Sequence, residues 1–391
     1  SPSLLTTACI ITIMLFCLPA GGYIAFLLSQ LQSDADPARL FQGQYFKSLW
    51  NTLILAFGTT VCTGVLGTLQ AVFLQRGRVP WRMFFLSSYF IPFLIPPYIH
   101  AITWSKILDA NGLLVQLFSL SESRQVLYGY LYSRAGAILV LSIAFMPLVT
   151  TVVMAGLRTV YSRLEETALC NSTPARVLRK ITLPLIAPHI LGSCLLVCLF
   201  TLNSFDIPDI LRVRVLSVEI FIQLAAMYDE AGALFMSMPL LAFVLLLTLI
   251  IQRSMRGKIY FGFSAAQDRI FLTEKRYRLI GFFLLGTIWI LSVALPCILF
   301  ISAIPSIAIF CRSLSSAVNE LLYSTILASL CALTILICSI PSAYLLARRH
   351  KFQSLVDFFT LVPLAVPAAL FSLGLIKAAN FLDLQFLSSS S

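Results

Sequence analysis

The charged residues of this chain are spaced so widely that they leave nine uncharged runs of 19 residues or more. These are 1–33, 48–75, 83–105, 135–157, 181–205, 231–252, 279–311, 321–347 and 358–376. A hydrocarbon core of about 30 Å is crossed by roughly 20 apolar residues in helical form. Backbone polar groups must be paired inside lipid, and a helix pairs its own. The runs therefore predict nine transmembrane helices in an all-α, polytopic bundle. A transmembrane β-barrel would show short alternating segments instead.

Composition agrees with this reading. Of 391 residues, 59% are hydrophobic and 11% charged, against about 25% charged in soluble domains. The net charge of +11 raises the question of nucleic acid, and its distribution answers it. Numbered from a cytoplasmic N-terminus, the inner loops 76–82, 158–180, 253–278 and 348–351 carry 18 of the 27 Lys and Arg residues. That is the positive-inside bias of a multi-pass membrane protein. The partner implied is a lipid bilayer, with no nucleic acid. Residues 4–28 form an apolar stretch longer than the ~7–15 residues of a signal-peptide core, with no basic segment before it, and read as a retained first span.

The ten cysteines and three histidines form no metal-binding pattern. Cys194 and Cys198 share a helix face, but two thiols alone make a poor metal site. No metal site is expected.

An internal repeat is legible. Asn51–Ala56 resembles Ser324–Ser329, Arg76 matches Arg348, and the Pro-x-x-x-Pro pair Pro92/Pro96 matches Pro363/Pro367, at offsets of 273, 272 and 271. Six spans separate the copies, so both point the same way, unlike the inverted repeats of many secondary transporters. The expected organisation is a first copy over 1–253, a cytoplasmic linker over 254–278, and a second copy over 279–391 that stops after three spans. At this offset a second copy of the loop described next falls near residue ~437, past the last residue here.

The loop 159–184 is polar and basic between two apolar runs. Glu165 to Cys170 suits a short helix with acidic residues in its first turn. Asn171 suits its end, because Asn tolerates the left-handed conformation. Ser172-Thr173-Pro174 suits a restart, with a hydroxyl cap and Pro in the first turn. Arg176, Arg179 and Lys180 would hold this second helix at the inner surface, and Pro184 would open the next span. The expectation is a rigid helix–turn–helix elbow on the cytoplasmic face.

This loop resembles the coupling loop of bacterial ABC-importer permeases, whose pattern is Glu-Ala-Ala, three residues, Gly, nine residues, Ile-x-Leu-Pro. Counted back from Ile181-Thr182-Leu183-Pro184, the Glu falls on Glu165 and the Gly on Asn171. Glu166 and Thr167 stand where the family has Ala, and Ala168 follows. Glu166 makes the register ambiguous by one residue. Trp50–Leu53, Pro92–Tyr98 with Trp104, and Val218–Gln223 with Tyr228-Asp229 resemble the two-repeat ferric-iron permeases. The resemblance implies a tandem parallel-repeat permease of the bacterial inner membrane that imports a small solute, with ferric iron favoured over thiamine, sulfate or polyamine. It implies a coupling loop built on Glu165, Glu166, Ala168, Asn171, Pro174, Ile181, Leu183 and Pro184, whose glutamate pairs with a basic residue of an ATP-binding subunit. It also implies a dimer of that subunit, and a periplasmic or extracytoplasmic substrate-binding protein. The chain has no Gly-x4-Gly-Lys-Ser/Thr loop. It is expected to hold no cofactor and not to be an enzyme, with ATP and Mg on the partner.

Asn203 and Asp206, at the outer end of the fifth run, and Pro92 and Pro96, which interrupt the third, are candidates for a translocation path. Intramembrane ionisable groups and prolines both recur where such paths are built. An ion-coupled secondary transporter is the rival class, and it predicts buried carboxylates within the spans.

Overall fold

The computed structural model describes residues 43–108, 124–160, 162–255, 272–302, 304 and 306–347. The expected first and ninth spans, the repeat partners Arg348 and Pro363–Pro367, and most of the linker 254–278 lie outside these residues. Among the described residues the fold is all-α, with six helices long and apolar enough to cross a membrane, or seven if one bent pair counts as a span. The seven expected spans from 48–75 to 321–347 all correspond to such segments.

In chain order the helices are α1 (Gly43–Arg76), α2 (Arg82–Ser88), α3 (Ile91–Leu94), α4 (Pro97–Leu108), α5 (Arg124–Leu131) and α6 (Arg134–Thr159). Then come α7 (Ser162–Asn171), α8 (Pro174–Val177), α9 (Leu183–Asn203), α10 (Asp206–Ile210), α11 (Leu216–Ala225) and α12 (Glu230–Met255). The last are α13 (Lys275–Trp289), α14 (Leu295–Ser302) and α15 (Ile307–Ala347). π-helical turns at Leu178–Thr182 and Ile290–Ala294 join α8 to α9 and α13 to α14.

The chain divides into two compact units. The larger comprises residues 40–227 and 253–299, and its centre is α1 packed against α6 and α9. Leu55, Ala71 and Leu74 of α1 are buried with Val140, Val149 and Leu157 of α6 and Ile186 and Val197 of α9. Lipid is as apolar as these side chains, so close packing and interhelical hydrogen bonds must hold the helices together. Two glycines permit the approach. A Cβ at Gly67 would lie 2.7 Å from Val149 Cβ, and one at Gly64 would lie 2.8 Å from Cys194 Sγ. Beside Gly67, the buried hydroxyl of Thr150 donates to Gln70 Oε1 at 2.7 Å.

The third span is broken. α2–α3 and α4 meet at 97°, where Ile95 turns extended (φ −76, ψ 123). The cause is chemical. A continuous helix would bond the N–H of residue 96 to Pro92 O, and Pro96 has no N–H. His100 fills the gap: its Nε2 lies 3.0 Å from Pro92 O, and the ring is fully buried.

In the smaller unit, residues 228–252 and 300–391 with 1–39, α15 forms one uninterrupted helix of 41 residues. The uncharged runs place a break between residues 312 and 320. The structure corrects this: the preceding helix ends at Ser302 and α15 begins at Ile307, so Arg312 and Glu320 lie inside it. Neither charge breaks a helix, since Arg and Glu are good helix formers.

Candidate functional site

The two ends of α1 organise two polar clusters. At its N-terminal end, Asn51 Nδ2 donates to Arg214 O at 2.9 Å, and Thr52 Oγ1 accepts from Leu216 N at 2.8 Å. Ser48 Oγ reaches Glu219 Oε1 at 3.5 Å. The Trp-Asn-Thr-Leu segment thus fixes the entry to α11. At the opposite end, Arg76 meets the loops that the charge pattern assigns to the inner side.

The elbow starts where α6 ends, at the extended Val160 (φ −69, ψ 123). α7 carries Glu165 in its first turn, where the helix dipole favours an acid. Asn171 was expected in the left-handed region. The structure corrects this: Asn171 is the last residue of α7, and the non-glycine residues with positive φ among those described are Trp81, Arg212 and Tyr228. The chain leaves α7 through the extended Thr173 (φ −71, ψ 148), as a residue before proline must. No left-handed residue is needed. Thr173 then caps α8, with Pro174 in its first turn. Its backbone carbonyl accepts from Arg176 N and Val177 N at 2.9 and 3.0 Å, while its hydroxyl makes no cap hydrogen bond.

The second arm also differs from expectation. It is not a separate surface helix. α8, the π-turn and α9 run as one 30-residue helix from Pro174 to Asn203. Pro184 lies in the first turn of α9 and cannot donate to the regular ladder. The π-turn just before it closes instead on the wider Leu183 N to Leu178 O bond, a known way for helices to absorb such a gap.

That π-turn presents Thr182 to Glu165. Thr182 Oγ1 donates to Glu165 Oε1 at 2.8 Å, and Arg76 Nε donates to the same oxygen at 3.3 Å. Oε2 lies 3.3 Å from Arg76 Nη2; it is in ion-pair range but lacks hydrogen-bond geometry. Arg76 Nη2 donates to Leu157 O at 2.7 Å, one of the last-turn carbonyls of α6 that its own helix leaves unpaired. Glu165 and Arg76 are 1% and 3% exposed. The Arg76 carbonyl accepts from Leu272 N at 3.0 Å, and Arg78 N donates to Leu272 O at 3.3 Å. This isolated bridge pins the chain just before α13.

The ambiguity between the two glutamates thereby gains a geometry. Glu165 points inward and is engaged within the chain. Glu166 is exposed, as are Asn171 and Pro184, while Ala168, Pro174, Ile181 and Leu183 are half-buried. Neither Arg76 nor Thr182 was singled out as a site residue. The signal available for Arg76 was its position, the first charge after a 28-residue uncharged run.

The remaining candidates lie elsewhere. Asn203 ends α9 and Asp206 opens α10, which packs against α4. Burial, reinforced by the neighbouring Asp209, pushes the Asp206 carboxyl above the ordinary carboxylate range. Pro92 is buried and Pro96 exposed. Among the described residues no group of three His, Cys, Asp or Glu could hold a metal ion.

These elements define an all-α, multi-spanning membrane bundle with an elbow between two spans. No protein-family model matches the chain. The chain is similar to the sulfate transport system permease protein CysT of Salmonella typhimurium (26% identical over 203 residues, 50% of this chain and 72% of that protein). It is similar over more of its length to the probable ABC transporter permease protein y4fN of Sinorhizobium fredii (25% over 365 residues, 85% of this chain and 62% of that protein). The same holds for the putative ferric transport system permease protein FbpB 1 of Haemophilus influenzae (24% over 370 residues, 87% and 57%). The chain thus spans less than two thirds of the latter two. It resembles the inner-membrane permeases of ABC importers.

Proposed function

We propose that this chain is a membrane-spanning permease subunit of a binding-protein-dependent ABC importer in a bacterial inner membrane. The observation that carries the reading is the elbow α7–α8 at the α1 end where the basic loops gather, in a chain similar to ABC permeases. On this reading α7 docks on a dimeric ATP-binding subunit. That subunit binds ATP and Mg, and this chain hydrolyses nothing. A soluble binding protein delivers solute to the opposite face, and the tandem parallel copies rock about a path between them. Glu166, with the adjoining exposed face of α7, faces the ATPase.

Ferric iron is the favoured solute, because the relatives aligned across most of this chain include a putative ferric transport permease. Sulfate is the second reading, favoured by the 203-residue match to a sulfate permease. Two experiments test these proposals. Glu166→Lys in the full-length protein is expected to abolish co-purification of the ATPase; undiminished capture and uptake would sink the coupling assignment. In a deletion strain, loss of radiolabelled ferric uptake with sulfate uptake intact supports iron, and the reverse pattern supports sulfate.

A further inference from the structure

The geometry points to Arg76 and Glu165 as positioning residues that lock α7 to the ends of α1, α6 and α9 and to the entry of α13. A load on the elbow then moves all of them as one body. This inference rests on the reading of α7 as the ATPase-facing helix, and it assigns Glu165 the inward task rather than the docking one.

Four parts of the chain meet on two side chains, and a fifth joins them through the Arg76 backbone. Arg76 belongs to α1. Its guanidinium holds Leu157 O of α6 and Glu165 of α7. Glu165 in turn holds Thr182, in the π-turn that leads into α9. The Arg76 carbonyl holds Leu272 N, three residues before α13. A contrasting pair shows the difference: Glu274 and Arg276 lie 2.7 Å apart with side chains 45% and 63% exposed, two residues apart in sequence. That pair joins nothing.

Burial decides what the lock is for. Taking two charges out of water costs several kcal/mol per ion, so a buried pair adds little net stability over apolar packing. What it adds is a unique arrangement, because a displaced carboxylate would leave an uncompensated buried guanidinium. Helix α7 has ten residues, and among those whose burial is described Glu165 is the one buried side chain. Apolar packing alone is therefore a weak hold on it. The polar hold through Glu165 converts a short surface helix into a rigid lever.

The test reads α7 directly. Cys170 is exposed near the end of α7 and takes a spin label, with the other cysteines replaced by Ser, in the full-length protein in lipid nanodiscs. Glu165→Gln and Arg76→Gln are each expected to shift the spectrum toward the mobile component. The Arg76→Gln/Glu165→Gln double variant should shift it no further than the larger single change, since the two act as one unit. Glu165→Asp should restore most of the immobile spectrum, and Glu274→Gln should leave it unshifted. An unshifted spectrum in Glu165→Gln, additive shifts in the double variant, or an equal shift in Glu274→Gln would overturn the lock. If a single variant fails to fold, the double variant, with no unpaired buried charge, carries the comparison. Failure of the unaltered chain to capture an ATPase would overturn the transport reading alone, leaving the label spectra to decide the lock.

Discussion

Arg76 and Glu165 stand 89 positions apart in sequence and 3.3 Å apart in space, both buried. Removing one partner strands the other. Glu165→Ala is expected to destabilise the folded chain by about 3–5 kcal/mol, whereas neutralising both residues should cost less. Chemical denaturation in detergent micelles across the four-variant cycle checks this; equal losses for single and double variants would contradict it.

The α1–α6 contact predicts a steric effect. A side chain at Gly67 meets Val149 Cβ at 2.7 Å, and the helices must separate. Gly67→Val is expected to cost about 1–3 kcal/mol, the usual range for overpacking. Thr150→Val, which removes the bond to Gln70, should cost only about 0.6 kcal/mol, the average for such bonds in lipid. Thermal unfolding of both variants orders them; the reverse order would show that the hydrogen bond outweighs the close approach.

The broken span predicts a conservative rescue. His100→Ala leaves the Pro92 carbonyl buried without its donor, a loss of about 1–3 kcal/mol. His100→Gln keeps an N–H of similar reach and should recover part of that loss. Equal stability of the Ala and Gln variants would remove His100 from its role at the break.

Asp206 predicts a pH dependence. Burial and Asp209 raise its folded pKa above the unfolded value. The folded state therefore binds this proton more tightly, and the stabilisation is fully present below the ordinary value of about 3.9. It is lost as pH rises through the raised folded value. Asp206→Asn should flatten this segment of the stability profile and raise the melting temperature at neutral pH. A parallel profile in the variant would exclude Asp206 as the source.

Much of this architecture was legible in sequence, for physical reasons. Lipid excludes charge, so uncharged runs mark spans with little ambiguity, and prolines at 92, 96 and 97 mark a break because they lack donors. Helix ends in water are different. Arg312 and Glu320 suggested a gap that the 41-residue α15 does not have, because a charge ends a span without ending a helix. The elbow was legible in position and in the proline that opens α8, but the expected hydroxyl cap does not form, and the inward turn of Glu165 was not legible. Which face of a ten-residue helix is buried depends on what packs against it, and the partners Arg76 and Thr182 come from other parts of the chain. Asn171 likewise matched a left-handed position by residue type, while the following Thr-Pro set the exit instead.

The π-turn at Leu178–Thr182 makes the elbow and the span a matter of phase. Each α-helical residue turns the chain by about 100°. A single deletion within the α-helical Pro174–Val177 would therefore turn Thr182 by roughly a quarter-turn relative to the start of α8 while leaving every side chain of α9 chemically unchanged. The length of this short stretch, as much as its composition, sets whether α7 and the span that follows it face each other.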